Sequence, residues 1–255
     1  MMSFPIRRWG LFLCLMVGLF TVACTNTQPS ADEAITADPV EEAATAGATE
    51  TAAALPEGLP SLQGKATIEM QINGGRVVIE VDGDAAPVTA GNFVDLVERG
   101  VYDGLVFHRV IKSPDPFVAQ GGDPQSADSS VPPQALGTGS FIDPETQQPR
   151  LIPLEIQPAD ADEPLYSQTF ESAGVSSAPA LPHRRGAVAM ARSQLPDSAS
   201  SQFYIALADL PFLDGSYAVF GYVVEGMDVV DGIEQGDVIE SATVIEGADN
   251  LRQPE

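Results

Sequence analysis

Ala66-Thr-Ile-Glu-Met70, Asn73-Gly74-Gly75 and Arg76-Val-Val-Ile-Glu-Val81 follow one another along the chain. The outer runs are β-branched and partly alternating, and the Asn-Gly-Gly between them supplies the positive-φ residues of a tight hairpin turn. The folded part therefore opens on two antiparallel strands. Pro87 next starts a helix running to Arg99, with Val88, Phe93, Leu96 and Val97 in one apolar stripe and Gly100 as its C-terminal cap. Short apolar runs at 106–111, 117–120, 187–191, 202–206, 219–224 and 238–245 read as further strands, and a second short helix covers 227–234. Strands so closely spaced leave no room for βαβ crossovers. The prediction is a mostly β fold: a closed eight-stranded antiparallel β-barrel capped by two α-helices, because closure pairs every strand edge. Between 124 and 185 the pattern gives way to a long insertion rich in Pro, Ser and acidic residues. Such a loop inside a compact domain is uncommon and is usually functional or mobile. Within it Leu151-Ile-Pro-Leu-Glu155 reads as an extended, packed piece, and His183-Arg184-Arg185 as a solvated turn.

Composition excludes several function classes. The chain has 255 residues, 44% hydrophobic and 19% charged, enough to bury a core. Its 36 acidic residues against 12 basic ones give a formal charge of −24. That balance argues against nucleic acid, whose phosphates are bound by Lys and Arg. It equally disfavours adhesion of a basic surface to anionic lipid, and points to a soluble monomer. Two cysteines, Cys14 and Cys24, and two histidines, His108 and His183, offer no set spaced for a metal site or a disulfide framework.

Residues 1–23 read as a signal peptide, with Arg7 and Arg8 ahead of an apolar run and a small-residue exit at Thr21-Val-Ala23. The run is about 12 residues, short of the roughly 20 that span a bilayer. Thr21-Val-Ala-Cys24 resembles a bacterial lipobox with threonine in place of the usual leucine, which makes Cys24 the candidate lipidated residue. Residues 24–62 then form an Ala-, Thr-, Glu- and Pro-rich linker whose few large apolar groups cannot offset the entropy of ordering. The expectation is an extracytoplasmic protein tethered to a bacterial envelope membrane, facing the periplasm or the cell surface, and touching the membrane only through that lipid.

Three segments carry chemistry. They are Phe107-His-Arg-Val-Ile111 followed by Phe117-Val-Ala-Gln-Gly-Gly-Asp123; Gly186-Ala-Val-Ala-Met-Ala191 followed by Ser200-Ser-Gln-Phe-Tyr-Ile205; and Phe212-Leu-Asp-Gly-Ser-Tyr-Ala-Val-Phe-Gly221. Singly, each is compatible with strand packing. In this order, together with Pro87-Val-Thr-Ala-Gly-Asn-Phe93 and Glu225-Gly-Met-Asp-Val-Val230, they closely resemble the cyclophilin family of peptidyl-prolyl cis-trans isomerases from about Ala66 to Ile245. The resemblance implies an isomerase domain over 63–248 with residues 249–255 as a C-terminal tail. It also implies that proline-containing polypeptides are bound.

The reaction makes no bond. Rotation about X–Pro must overcome amide resonance, a barrier of ~18–20 kcal/mol. An apolar slot for the ring and donors that favour the twisted amide are sufficient, so no cofactor or metal is expected. By resemblance Arg109 is the donor near the prolyl nitrogen and Gln120 positions it. Phe117, Val118, Tyr204 and Leu213 match the proline pocket, with Tyr204 where phenylalanine is usual and Val118 where methionine is usual. Gln202, Ala191 and Arg192 match the groove for the flanking peptide, Arg192 replacing an asparagine. Phe212 stands where many members carry tryptophan, and Tyr217 replaces a histidine at the pocket rim. His108 is expected to point away from Arg109 by strand alternation. Two other readings stay open: a proline-peptide binding or chaperone module with little catalysis, and a scaffold using 124–185 as its partner surface.

Overall fold

The structure is a computed structural model that describes residues 57–254. The predicted signal peptide, Cys24 and most of the predicted linker lie outside the described residues.

Lys65–Ile72 (β2) and Gly75–Asp82 (β3) form the expected hairpin, paired in register from Lys65 opposite Asp82 to Ile72 opposite Gly75. The helix Pro87–Glu98 (α1) follows. Arg109–Val110 (β4), Val118–Gly121 (β5), Ala187–Met190 (β8), Phe203–Ala206 (β9), Val219–Glu225 (β10) and Ile239–Glu246 (β11) complete one eight-stranded antiparallel sheet in the order β11-β2-β3-β10-β8-β9-β5-β4. The helix Met227–Gly232 (α3) falls between β10 and β11, ending two residues earlier than the sequence implies.

The sheet curls but does not close. Its edge strands β4 and β11 do not pair as strands; near them a single isolated bridge joins Val106 to Val238. Backbone bonds such as Phe107 N–H to Asp237 O, at 2.8 Å, flank that bridge. The fold is an open half-barrel, and the predicted closed barrel is corrected. The cause is local: the run expected at 106–111 yields a strand of two residues. The backbone bonds that join the two edges come from residues 104–107 and 236–239, before β4 and at the start of β11, so the two strands themselves never form a ladder.

One face of the sheet packs on α1. Phe93 from the helix meets Tyr102, Phe203 and Phe220 at ring-centroid distances of 5.1, 5.4 and 4.9 Å, all fully buried. Each such ring stabilises the fold by roughly 1.5–3 kcal/mol of burial. Over α1 lies a pair of two-residue strands, Ser61–Leu62 (β1) and Leu251–Arg252 (β12). The sequence reading put the first in the linker and the second in the tail. Their approach depends on Gly91, where any Cβ would run into the backbone of Ser61 and Leu62.

The stretch 124–185 is anchored in several places. It contributes Glu155–Ile156 (β6), which pairs with Leu165–Tyr166 (β7), and a one-turn helix Phe170–Ala173 (α2) that the sequence did not indicate. Ile152, Leu154, Glu155, Ile156 and Phe170 are buried.

Candidate active site

The face of the sheet opposite α1 carries the site. Strand register sets its floor: Arg109 lies opposite Gln120, Gln120 opposite Tyr204, Tyr204 opposite Ala189, and Ala189 opposite Val219. Side chains in one cross-strand row share a face. A second buried cluster forms there, with Val118, Ala187, Ala189, Tyr204, Ala206, Leu210 and Val219 against Phe117, Leu213 and Tyr217. The alanines keep this part of the sheet low, so the larger side chains stand around it as walls.

The result is a cleft of about 220 Å³ lined by Arg109, Phe117, Val118, Gln120, Ala191, Arg192, Tyr204, Leu213 and Tyr217. A second cavity of about 360 Å³ shares Gln120, Ala191 and Arg192 with it, and adds Gln202 and the Gly137–Ser140 backbone turn. Arg109 is exposed at the rim of the first. Its Nη1 donates to Gln120 Oε1 at 3.3 Å, and its guanidinium carbon lies 5.6 Å from the Phe117 ring centroid. Gln120 Nε2 donates in turn to Gln202 Oε1 at 3.3 Å, and Gln202 Nε2 to the Gly139 carbonyl at 2.8 Å. The three side chains form one chain of donors running from the arginine to the second cavity.

The family model described as cyclophilin type peptidyl-prolyl cis-trans isomerase/CLD matches residues 67–250. The chain belongs to the cyclophilin family. It is 44% identical over 211 residues to a putative thylakoid lumen peptidyl-prolyl cis-trans isomerase of Synechocystis, covering 78% of this chain and 52% of that one. It is 39% identical over 216 residues to a chloroplastic peptidyl-prolyl cis-trans isomerase of Arabidopsis thaliana, covering 77% and 46%. The chain thus spans about half the length of both relatives. A crystal structure of a cyclophilin from Hirschia baltica matches with a TM-score of 0.50 at 25% identity, covering 72% of this chain and 76% of that one.

Of the site residues expected from sequence, this cyclophilin brings all but Gln202, Phe212 and Cys24 to the smaller cleft. Gln202 lines the adjoining cavity. Phe212 stands outside both, 69% exposed, stacked on Phe117 at 6.0 Å with an 18° tilt. Cys24 lies outside the described residues. His108 is half-buried and its ring nitrogens have no hydrogen-bond partner; burial holds its pKa below the ordinary range.

Three polar residues behind the site escaped the sequence reading. Asp123 is fully buried; its carboxylate accepts from Gln125, Gly137 and Gly139 N–H groups and so fixes the turn whose carbonyl receives Gln202. His183, expected in a solvated turn, is instead 2% exposed. Its backbone N–H and ring Nδ1 both meet Asp214 Oδ1 at 2.8 Å, and its Nε2 lies 3.0 Å from the Tyr204 hydroxyl. An ionised Asp214 only accepts, so Nδ1 carries the proton and Nε2 accepts from Tyr204 O–H. The hydroxyl that sets Tyr204 apart from phenylalanine therefore has a buried partner. The available signal was the pairing itself: a tyrosine at a buried position needs an acceptor, and few polar residues lie in range.

Tyr204→Phe is expected to lower stability by about 1–2 kcal/mol, because it leaves His183 Nε2 buried without a partner. Burial, partly offset by Asp214, also holds His183 below its ordinary value of 6.5. Its contribution to stability is then complete above about 6.5 and is lost progressively as the pH falls below that value, down to the folded-state pKa. Urea unfolding from pH 7.5 to 5.5 tests both points. The wild type should lose more stability over that range than His183→Gln, and equal losses would remove His183 from the account.

Proposed function

We propose that this cyclophilin accelerates cis–trans rotation about X–Pro bonds in polypeptides outside the cytoplasm and so assists their folding. The observation that carries the reading is the placement of Arg109. An exposed guanidinium, oriented by Gln120, stands at the rim of an apolar cleft walled by Phe117, Val118, Tyr204, Leu213 and Tyr217. The ring of proline fills the apolar slot while the peptide bond before it lies near the arginine. As the amide twists, its nitrogen becomes pyramidal and its lone pair can accept a hydrogen bond. Arg109 donates that bond, and the interaction is strongest in the twisted state, which is what lowers the barrier. Guanidinium suits the task because its donors are fixed in a plane and its charge is permanent. Gln120 and Gln202 hold the arginine and the flanking backbone in place.

An extracytoplasmic location is supported by the charged-then-apolar N-terminus and by a relative named for the thylakoid lumen. Cys24 would carry the lipid that tethers a monomeric domain to a bacterial envelope membrane, with residues 24–62 as the tether.

Exchange NMR on a short Ala-Pro peptide tests the reading. The full chain at catalytic concentration should speed the exchange far beyond its uncatalysed timescale of tens to hundreds of seconds. A folded protein that binds the peptide but leaves the exchange unchanged would sink it and favour a binding module.

A further inference from the structure

The charge inside the two cavities is opposite to that of the chain. Across 255 residues the acids outnumber the bases by 36 to 12, yet neither cavity is lined by a single Asp or Glu. The ionised side chains that do line them are Arg109 and Arg192. Among the described residues Lys65, Arg76, Arg99, Arg150 and Arg185 each have a carboxylate within 4.0 Å, whereas Arg109 and Arg192, like Lys112, Arg184 and Arg252 outside the cavities, have none.

Arg192 is also held in place. Its Nε and Nη2 donate to the Ser216 carbonyl at 3.0 and 2.7 Å, and its Nη1 to the Ser193 carbonyl at 2.9 Å. Its guanidinium carbon lies 4.7 Å from the centroid of the Tyr217 ring. These partners are neutral, so they fix the group without cancelling its charge. The fork is not saturated either: one Nη2–H remains beyond the bond to Ser216. A half-buried guanidinium whose side-chain entropy is already lost binds an anion at lower cost than a free surface arginine would. Arg192 lines both cavities and so stands at the boundary between the slot for proline and the space beyond it.

We propose that Arg192 makes the cleft selective for proline peptides carrying an anionic side chain within two residues of the proline. This rests on the isomerase reading above and names the class of substrate. The acidity of the rest of the chain works against such peptides at long range. At physiological ionic strength the Debye length is ~8 Å, so a direct contact with Arg192 outweighs more distant carboxylates. The selectivity has a repulsive half as well, because a cationic residue at the same place meets a fixed like charge.

The test uses the full chain and four pairs of peptides with Glu or Lys one or two residues before or after the proline. It compares kcat/KM by exchange NMR and Kd by chemical-shift titration. In at least one pair the Glu peptide is expected to be favoured roughly five- to tenfold, the size of a partly screened ion pair. That ratio should shrink toward one when salt is raised to about 1 M, where the Debye length is ~3 Å. Arg192→Asn should abolish the preference, while Arg192→Lys, which keeps the charge and loses the fork, should keep part of it. Equal rates for every pair in the wild type would overturn the proposal, as would a ratio that survives in Arg192→Asn or at high salt. A uniform loss in Arg192→Asn with the ratio intact would do the same, since it would mark a purely structural arginine. If Arg192→Asn does not fold, the wild-type salt series and Arg192→Lys decide the matter. Failure of the isomerase reading looks different: no peptide would exchange faster, whatever its charge, and the Kd ratio would still report on Arg192.

Discussion

Arg109→Ala is expected to lower kcat/KM for an Ala-Pro peptide by about 10²- to 10³-fold while leaving the fold intact. The size follows from what preorganised donors contribute when charge or a lone pair develops in the transition state, about 2.7–4 kcal/mol for a single group. The selectivity for activity over stability follows from where Arg109 sits. It lies exposed on a two-residue edge strand, and its side chain contacts Gln120 at 3.3 Å and the Phe117 ring at 5.6 Å. Removing an exposed side chain of this kind changes stability by only about 0.5 kcal/mol. The melting temperature of Arg109→Ala should therefore stay close to that of the wild type, which separates lost chemistry from lost structure. Arg109→Lys is the sharper companion. It keeps the charge and most of the length but not the planar fork that Gln120 orients, so it should recover little of the activity. A variant that isomerises within a few-fold of the wild type would remove Arg109 from the mechanism. Recovery by lysine to near the wild-type rate would instead reduce its role to charge alone.

What the sequence disclosed, and what it hid, divide along physical lines. Each of the eight sheet strands falls where a β-branched or apolar run stands, and Pro87 opens α1, because both signals are local. The cleft residues were also legible. They are carried on short ordered segments whose strand register brings Arg109, Gln120 and Tyr204 into one row. Closure of the sheet was not legible, because it depends on whether two edges distant in sequence pair over their length, and here they meet only at residues 104–107 and 236–239. His183 was hidden for a related reason. In sequence it precedes two arginines and looks solvated; only the fold brings Asp214 and Tyr204 to its ring. The stretch 124–185 misled most, since it lacks periodicity and is rich in turn formers. It is nevertheless fastened by individual polar residues: Arg150 Nη1 reaches the buried Asp95 on α1 at 2.7 Å, and Glu155 reaches the start of the same helix. Single long-range polar contacts leave no pattern in a sequence.

Glu155→Ala is expected to have the largest effect on stability, a loss of about 3–4 kcal/mol. The helix α1 begins without a cap of its own: Ala86 at the N-cap makes no side-chain bond, and the first turn has no acidic residue. Its free N–H groups are met from outside. Glu155 Oε1 accepts from Val88 N–H at 3.0 Å and from the Tyr166 hydroxyl at 2.8 Å, and Oε2 accepts from Thr89 N–H at 2.7 Å. Burial pushes this carboxyl above its usual range, and the donors around it pull the other way. All three of those partners donate, so they hold the ionised form, and the positive end of the helix dipole adds to their effect. Truncation to alanine leaves two buried backbone donors and the half-buried Tyr166 hydroxyl unsatisfied around an empty space, and each buried group costs about 1–3 kcal/mol before relaxation. At about 2–4 °C per kcal/mol for a chain of this size, the melting temperature should fall by ~10 °C. Glu155→Gln fills the space but turns an amide N–H₂ toward donors, so its loss should be intermediate. Differential scanning calorimetry of the three proteins gives the answer. An alanine variant that melts within ~2 °C of the wild type would show that α1 does not depend on this cap. In that case the packing of Ile152, Leu154 and Phe170 would be what holds the stretch to the body.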